Sequence, residues 1–266
     1  MRHETRLASV LLAACVTPLN LAQAQQAAGD TGLDVKASGT KTFYVDQRVG
    51  ANQVVINSES TIEDFTSIVN QVSGRFQVDP KRLETLDGRF SIRVADIRTG
   101  IDLRDRDLQG PEWLDAARYP EVTVTIKGAE NVQKKSANSA ALTLIGTLGL
   151  HGVTREMRVP ATLIYLDESP VTQKRAKGDL IAIRSNFEFK LSDHNITGPK
   201  TSETIGLKVS DVQKIRVSVF ASSEPPPPPL EEAVEPSATG PAIGPGTQPA
   251  EPGRPALPLP PRPANP

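Results

Sequence analysis

Residues 141–166, ALTLIGTLGLHGVTREMRVPATLIYL, contain two segments in which apolar and polar side chains alternate. This period of two is typical of a β-strand with one buried face. The first segment places four leucines on one face, Leu142, Leu144, Leu148 and Leu150. The second segment repeats the pattern with Val159, Ala161, Leu163 and Tyr165. Between them Gly152 follows His151 and can adopt the positive φ of a tight turn, so the stretch predicts a β-hairpin.

The rest of the chain must supply further strands, because one hairpin alone is only marginally stable in water. Of the 266 residues 23 are proline, and sixteen of these prolines follow Ser223. We therefore predict one domain over residues 41–222, preceded by a linker over residues 25–40 and followed by a disordered proline-rich tail over residues 223–266. The tail is interpreted as a solvated spacer, with recognition by a proline-binding domain as the alternative. A formal net charge of −1 argues against nucleic acid binding, which requires an excess of Lys and Arg.

The amino-terminal residues 1–24 have the features of a secretory signal peptide. A short basic start precedes an apolar run over residues 7–16, which is too short to span a bilayer, and Ala22-Gln23-Ala24 provides a cleavage site. The only cysteine, Cys15, ends a segment that resembles a bacterial lipobox. We predict a periplasmic or secreted protein, with a lipoprotein anchored to the membrane through Cys15 as the alternative.

Alternation recurs along most of the domain and predicts eight or nine strands, without strand–helix–strand repeats. The predicted strands cover residues 42–46, 54–58, 72–78, 86–95, 122–126, the two arms of the hairpin, 180–191 and 215–219. Two short helices are predicted to interrupt them. One begins at Thr61, which can cap the amide of Asp64, and the other has Pro111 in its first turn. This pattern favours an antiparallel β-sandwich or up-and-down barrel.

From about Phe43 to Ser222 the sequence resembles the YceI-like family of exported bacterial proteins. The resemblance is carried by short motifs in a characteristic order, Ser73-Gly74-Arg75-Phe76, Thr99-Gly100 with Arg104-Asp105 and Leu108, Trp113-Leu114-Asp115 with Tyr119-Pro120, Leu150-His151-Gly152-Val153-Thr154, and Leu191-Ser192-Asp193-His194-Asn195-Ile196. It implies an eight-stranded antiparallel lipocalin-like barrel with one or two short capping helices, which binds a polyisoprenoid or another long amphiphile. Ser58 and Glu59 stand where the family's early strand usually ends in an apolar residue and a histidine, and Asp107 replaces a histidine that is common before the leucine of the cap segment. The resemblance therefore leaves the identity of the head group open.

The resemblance implies a non-enzymatic carrier that holds a long-chain apolar ligand, a polyisoprenoid or a fatty-acid-like lipid, in the barrel lumen. The expected ligand-binding residues are Phe76, Phe90, Ile92, Trp113, Val124, Leu144, Leu163, Phe187 and Phe189, with Asp193 and Asn195 holding a polar end at the rim. Trp113 suits either the mouth of a pocket or an anchor for the cap. The alternative is a structural or protein-interaction module with a filled barrel, since packed core and pocket lining share one sequence pattern. A homodimer is left open.

No cofactor, metal site or catalytic residue is expected. His151 and His194 are the only histidines after the proposed signal peptide, and they lack the spacing of a zinc motif. Ser192-Asp193-His194 contains the residue types of a catalytic triad, but neighbours in an extended segment point to opposite sides. These residues are therefore predicted to form a polar loop at the barrel rim, and His151 a turn.

Overall fold

The computed structural model describes residues 32–61, 63–199 and 209–227. Over these residues it contains ten strands and one α-helix. The strands are β1 Lys41–Val45, β2 Gln53–Ser58, β3 Phe65–Val69, β4 Ser73–Asp79, β5 Arg82–Arg93, β6 Glu121–Ser136, β7 Ser139–Leu150, β8 Val153–Leu166, β9 Leu180–Lys190 and β10 Val212–Ser222. The helix α1 spans Asp102–Gln109. The chain divides into a unit Met1–Pro226, which contains this fold, and a unit Pro227–Pro266, of which only the first residue is described.

Eight strands close into an antiparallel barrel, as predicted. Their order around the barrel is β1, β4, β5, β6, β7, β8, β9 and β10. The barrel closes where β1 pairs with the last two residues of β10, through Tyr44–Ser222 and Val45–Ala221. The earlier part of β10 pairs instead with β2, from Lys214 opposite Asn57 to Ser218 opposite Gln53, and β3 adds to the outer edge of β2. On this edge of β10, the first part of the strand therefore pairs with β2 and its last two residues pair with β1.

The hairpin predicted over residues 141–166 is confirmed as β7 and β8. Twelve consecutive residue pairs join the two strands, from Ser139 opposite Ile164 to Leu150 opposite Val153. His151 and Gly152 both have positive φ, 50° and 74°, which suits the twist of a two-residue turn. Alternate residues of β7 are buried throughout its length.

The helix predicted to begin at Thr61 is wrong. Ile62 lies outside the described residues, and Phe65–Val69 forms β3, paired with β2 from Val69 opposite Val54 to Phe65 opposite Ser58. Ser67 and Val69 are buried while Thr66 and Ile68 point outward, which is the burial pattern of a strand. The backbone pairing available at the edge of β2 therefore outweighs the local capping signal.

The second predicted helix is displaced rather than absent. Helix α1 begins at Asp102 and ends at Gln109, whereas Pro111 follows it in a turn. Gly110, the residue before Pro111, has ψ 168°, in line with the steric clash that keeps residues before proline out of the helical region.

One half of the barrel is filled by side chains. Phe43 stacks on Phe76 with ring centroids 5.5 Å apart and meets Tyr165 edge-on at 5.8 Å, and all three rings are fully buried. Gly88 lies opposite Phe76 in β4–β5 pairing, where a Cβ would come within 2.3 Å of the Phe76 Cβ. The Tyr165 hydroxyl donates to Asp179 at 2.7 Å, and Lys41 forms an ion pair with the same carboxylate. Burial alone would raise the pKa of Asp179, but the hydrogen bonds from Lys41 and Tyr165 lower it below its ordinary value.

The segment before β1 also belongs to this filled half. Leu33, Val35 and Ala37 are buried in the same core cluster as Phe43. The Lys81 Nζ donates to the carbonyl oxygens of Leu33 and Val35, at 2.8 Å each. For these residues the prediction of a linker over residues 25–40 is wrong, because their apolar side chains fill space between strands.

Several sequence predictions concern residues outside those described. They are the signal peptide over residues 1–24, the lipid anchor at Cys15 and the proline-rich tail beyond Pro227. Among the described residues, no helix has the length and apolar character needed to span a membrane.

Candidate ligand-binding cavity

The other half of the barrel encloses a cavity of about 600 Å³. Its walls come from β2, β3, β5 to β10, α1 and the turn after α1. The cavity lies where β2 replaces β1 as the neighbour of β10. A volume of this size falls within the range of roughly 300–1,000 Å³ found for small-molecule sites. The alternative of a completely filled barrel is therefore wrong, since only half of the interior is packed.

Seven of the nine predicted ligand-binding residues line this cavity, Phe90, Ile92, Trp113, Val124, Leu144, Phe187 and Phe189. The alternation of β5, β6, β7 and β9 brings six of them to the inner wall. Phe187 and Ile215 are directly opposite each other on β9 and β10, so their side chains form one continuous patch.

The remaining two predicted residues, Phe76 and Leu163, lie in the filled half and do not line the cavity. Phe76 is held between Phe43 and Phe90, whose ring centroids are 5.5 and 5.6 Å away. Leu163 is 0% exposed and lies opposite Ala140 and Ile183 on the neighbouring strands. Both face inward as predicted, but other side chains already occupy the space in front of them.

The apolar wall also contains residues that the sequence analysis did not assign to the site, Val54, Ile56, Phe65, Leu108, Leu148, Leu150, Met157, Ile215, Val217 and Val219. The alternation had placed Leu148 and Leu150 on the inner face, so the signal for them was present. Phe65 and Leu108 were missed because β3 and α1 were not predicted where they occur.

Three buried polar side chains of the cavity wall, Ser58, Ser185 and Gln213, already have protein partners. Ser58 donates to the Gln213 Oε1 at 2.6 Å, and the Gln213 Nε2 donates to the Ser210 carbonyl at 2.6 Å. Ser185 donates to the carbonyl of Pro160 at 2.6 Å. Because these hydroxyl and amide groups are satisfied, the wall they belong to suits an apolar guest better than a polar one.

The cavity opens beside α1. Glu63 and Asp107 are both exposed and both line the cavity, so they mark its opening. Arg104 of α1 spans this opening, because it forms an ion pair with Glu63 and its guanidinium lies 4.5 Å from the centroid of the Phe65 ring. Ionic and cation–π contacts thus connect α1 to the start of β3.

Helix α1 is fixed at the opening by Asp105. Its carboxylate accepts hydrogen bonds from the backbone amide of Thr99 at 2.7 Å and from the Thr99 hydroxyl at 2.6 Å. Burial alone would raise the pKa of Asp105, but these hydrogen bonds, with Arg98 and Arg104 nearby, lower it. The carboxylate therefore stays charged and keeps its hydrogen bonds to Thr99.

Trp113 both lines the cavity and anchors the cap. It is half-buried and packs with the cluster that includes Leu114, Leu148 and Ile196. Its ring also lies against Gly198, whose φ is +69°. The two roles considered for this residue therefore coexist.

Asp193 and Asn195 do not reach the cavity, so the prediction that they hold a polar end of the ligand lacks geometric support. They are not among the residues that line it. The Asp193 carbonyl accepts from Arg155 at 2.8 Å, and Asn195 ends a short 3₁₀ turn with φ 58°. Glu63, Arg104 and Asp107 are the charged residues that occupy the described part of the opening.

Ser192, Asp193 and His194 do not assemble as a triad. The Ser192 hydroxyl donates to the Asp211 carboxylate at 2.7 Å, and the His194 Nδ1 lies 3.2 Å from the Val153 carbonyl. Desolvation lowers the pKa of the buried His194 imidazole, which is therefore neutral near pH 7. His151 lies in the turn as predicted, with its Nδ1 3.1 Å from the His194 carbonyl. Among the described residues, no cluster of three or more His, Cys, Asp or Glu could hold a metal ion.

A closed antiparallel barrel with an apolar cavity and a short helix at its opening defines the class of closed β-barrels that enclose a cavity. Within that class the chain belongs to the YceI-like family, because the model of the YceI-like domain matches residues 43–221.

Curated relatives support this placement. The chain is 29% identical over 158 residues to Protein YceI of Salmonella arizonae, which covers 58% of this chain and 73% of that protein. It is 28% identical over 138 residues to a UPF0312 protein of Pseudomonas savastanoi pv. phaseolicola, covering 52% and 67% respectively.

Solved structures share the fold at lower identity. BcnA of Burkholderia cenocepacia is 18% identical with a TM-score of 0.53, and the match covers 67% of this chain and 99% of that one. A polyisoprenoid binding domain from Saccharophagus degradans is 16% identical with a TM-score of 0.52, covering 68% and 98%. These likenesses concern the fold alone.

Proposed function

We propose that this protein is an exported, non-enzymatic carrier that holds one long apolar molecule, such as a polyisoprenoid or a fatty-acid-like lipid, in the hollow half of its barrel. The observation that carries the proposal is the cavity of about 600 Å³, whose wall is mostly apolar and whose buried Ser58, Ser185 and Gln213 side chains are hydrogen-bonded to the protein. The polyisoprenoid binding domain of similar fold supports the same ligand class.

The size of the cavity suits a long chain. A group the size of a water molecule takes about 30 Å³ in a liquid, so the cavity accommodates roughly twenty methylene-sized groups. At about 0.3 kcal/mol per heavy atom, roughly twenty groups contribute about 6 kcal/mol. At about 0.8 kcal/mol per buried methylene they contribute about 16 kcal/mol. These limits correspond to dissociation constants from tens of micromolar to picomolar, without any charged contact.

A longer chain would leave the cavity through the opening beside α1. There a polar end would meet Glu63, Arg104 and Asp107 and remain in water. The proposal places transport in the periplasm or outside the cell, because residues 1–24 have the features of a secretory signal peptide. Anchoring through Cys15 is its alternative form.

Native mass spectrometry of freshly purified protein tests the proposal. We expect a bound lipid, released by organic solvent, and rebinding of retinol, a fluorescent isoprenoid alcohol. Trp113, the only tryptophan, lines the cavity and would report retinol through energy transfer. A chain ending at Pro226 should keep its ligand, because the described cavity wall ends before that residue. Absence of both bound lipid and retinol binding would refute the carrier function.

A further inference from the structure

Two exposed aliphatic side chains project from the cap beside the cavity opening. Ile101 and Leu103 are 48% and 63% exposed, although they flank the first turn of α1. Ile101 occupies the N-cap position without any side-chain cap, where Ser, Thr, Asp or Asn is strongly preferred. An isoleucine here provides no cap and leaves about half of its surface in solvent, so its position calls for another explanation.

The segment that carries these side chains is held in place. The Asp105 carboxylate binds the amide and hydroxyl of Thr99, and the Asp105 amide donates to the Ile101 carbonyl at 2.9 Å. Ile101 and Leu103 are therefore kept in solvent and do not fold back onto the barrel. Arg104 and Leu108 of the same helix line the cavity, so the exposed pair and the cavity wall share one element.

Charge around the pair is balanced. Between residues 98 and 107 the basic side chains are Arg98, Arg104 and Arg106, and the acidic ones are Asp102, Asp105 and Asp107. A nucleic acid or a strongly charged protein surface would gain little from such a patch. A phospholipid bilayer gains from inserted aliphatic side chains and tolerates balanced charge at its interface.

We propose that Ile101 and Leu103 dock the carrier on a phospholipid bilayer, so that its ligand passes between membrane and cavity through the opening spanned by Arg104. This inference rests on the proposed function, since only a membrane-soluble ligand needs such a route. Docking by insertion rather than by charge predicts similar binding to zwitterionic and anionic vesicles, and little dependence on salt.

Cosedimentation of the full chain with sucrose-loaded phosphatidylcholine vesicles tests docking. The variant Ile101→Ser/Leu103→Gln should lower the partition coefficient about tenfold or more, because burial of one aliphatic side chain is worth one to two powers of ten. The matched control is Val171→Gln. Val171 is 74% exposed but lies in the loop between β8 and β9, at the filled end of the barrel.

Retinol delivery separates docking from ligand binding. Retinol added in ethanol should bind the double variant as it binds the unaltered protein, because neither residue lines the cavity. Retinol supplied in vesicles should reach the double variant about tenfold more slowly. Docking would be overturned if the double variant bound vesicles as the unaltered protein does, or if its loss of binding were no larger than that of Val171→Gln. It would also be overturned if sedimentation velocity showed a dimer that the double variant disrupts. Failure of the unaltered protein to take up retinol from ethanol would instead refute the carrier function.

Discussion

Replacement of Phe76 and Phe187 by alanine compares the filled and the hollow half of the barrel directly. Both phenylalanines face the interior, and β4 and β9 hold them in comparable positions. Phe76 is 1% exposed and contacts Phe43 and Phe90 on both sides, whereas Phe187 has the cavity in front of it. A side chain beside a void has fewer partner atoms to lose.

The expected costs follow from this difference. Phe76→Ala should lower the free energy of unfolding by about 3 to 5 kcal/mol, the usual range for a packed phenylalanine. Phe187→Ala should lower it by about 1 to 2 kcal/mol, since truncation only enlarges an existing cavity. With a denaturant slope of about 2 kcal/mol/M in urea, the midpoint falls by roughly 1.5 to 2.5 M for Phe76→Ala and roughly 0.5 to 1 M for Phe187→Ala.

The measurement is urea unfolding of delipidated protein, followed by circular dichroism with the slope fitted for each variant. Phe76→Leu and Phe187→Leu provide a milder pair if Phe76→Ala does not fold. Equal midpoint shifts for the two positions would refute the reasoning, because they would mean that Phe187 is packed as tightly as Phe76. Retinol binding should show the opposite order, weakened by Phe187→Ala and retained in Phe76→Leu.

Three further predictions concern the cavity, its opening and the buried ionisable groups. Leu144→Trp should abolish retinol binding and shift the melting temperature only slightly, whereas Thr143→Trp on the outer face of β7 should bind normally in the same titration. Arg104→Gln removes the ion pair with Glu63, so stopped-flow release of retinol should be several-fold faster while stability changes by less than about 1 kcal/mol. Because the folded-state pKa of His194 is lowered, its contribution to stability is present above the unfolded value of about 6.5 and is lost as pH falls below it. Thermal melts of His194→Gln should lack that loss. Asp179→Asn should lower the melting temperature at neutral pH, because it removes the ion pair with Lys41, and should also remove the further loss below about pH 4 that the lowered pKa of Asp179 causes.

Every strand except β3 was predictable from the sequence because each of them has one buried face. In β7 and β9 the inward residues alternate with polar or small ones, and the period of two is present in a single sequence. The errors at Thr61 and Pro111 have a common cause. Both predictions relied on local helix signals, whereas β3 is formed by pairing with β2 and α1 is positioned by the hydrogen bonds of Asp105.

The limits of the cavity were not predictable in the same way. Phe76 and Phe90 have the same residue type and the same inward orientation, yet only Phe90 lines the cavity. The difference comes from side chains that are distant in the sequence. Phe43, Tyr165 and the segment with Leu33 fill the space in front of Phe76. Alternation shows whether a side chain faces the interior of the barrel. It does not show whether side chains from the opposite wall fill the space in front of that side chain.

The barrel has a packed end and a hollow end, and this arrangement affects how the sequences of its relatives can diverge. The aromatic side chains that fill one end of the barrel, Phe43, Phe76 and Tyr165, do not line the cavity at the other end. A point mutation such as a change at Phe187 or Ile215 can therefore alter which molecule fits while the architecture persists. Under the proposed carrier function, relatives that are 28% or 29% identical to this chain can thus preserve one scaffold and bind different ligands.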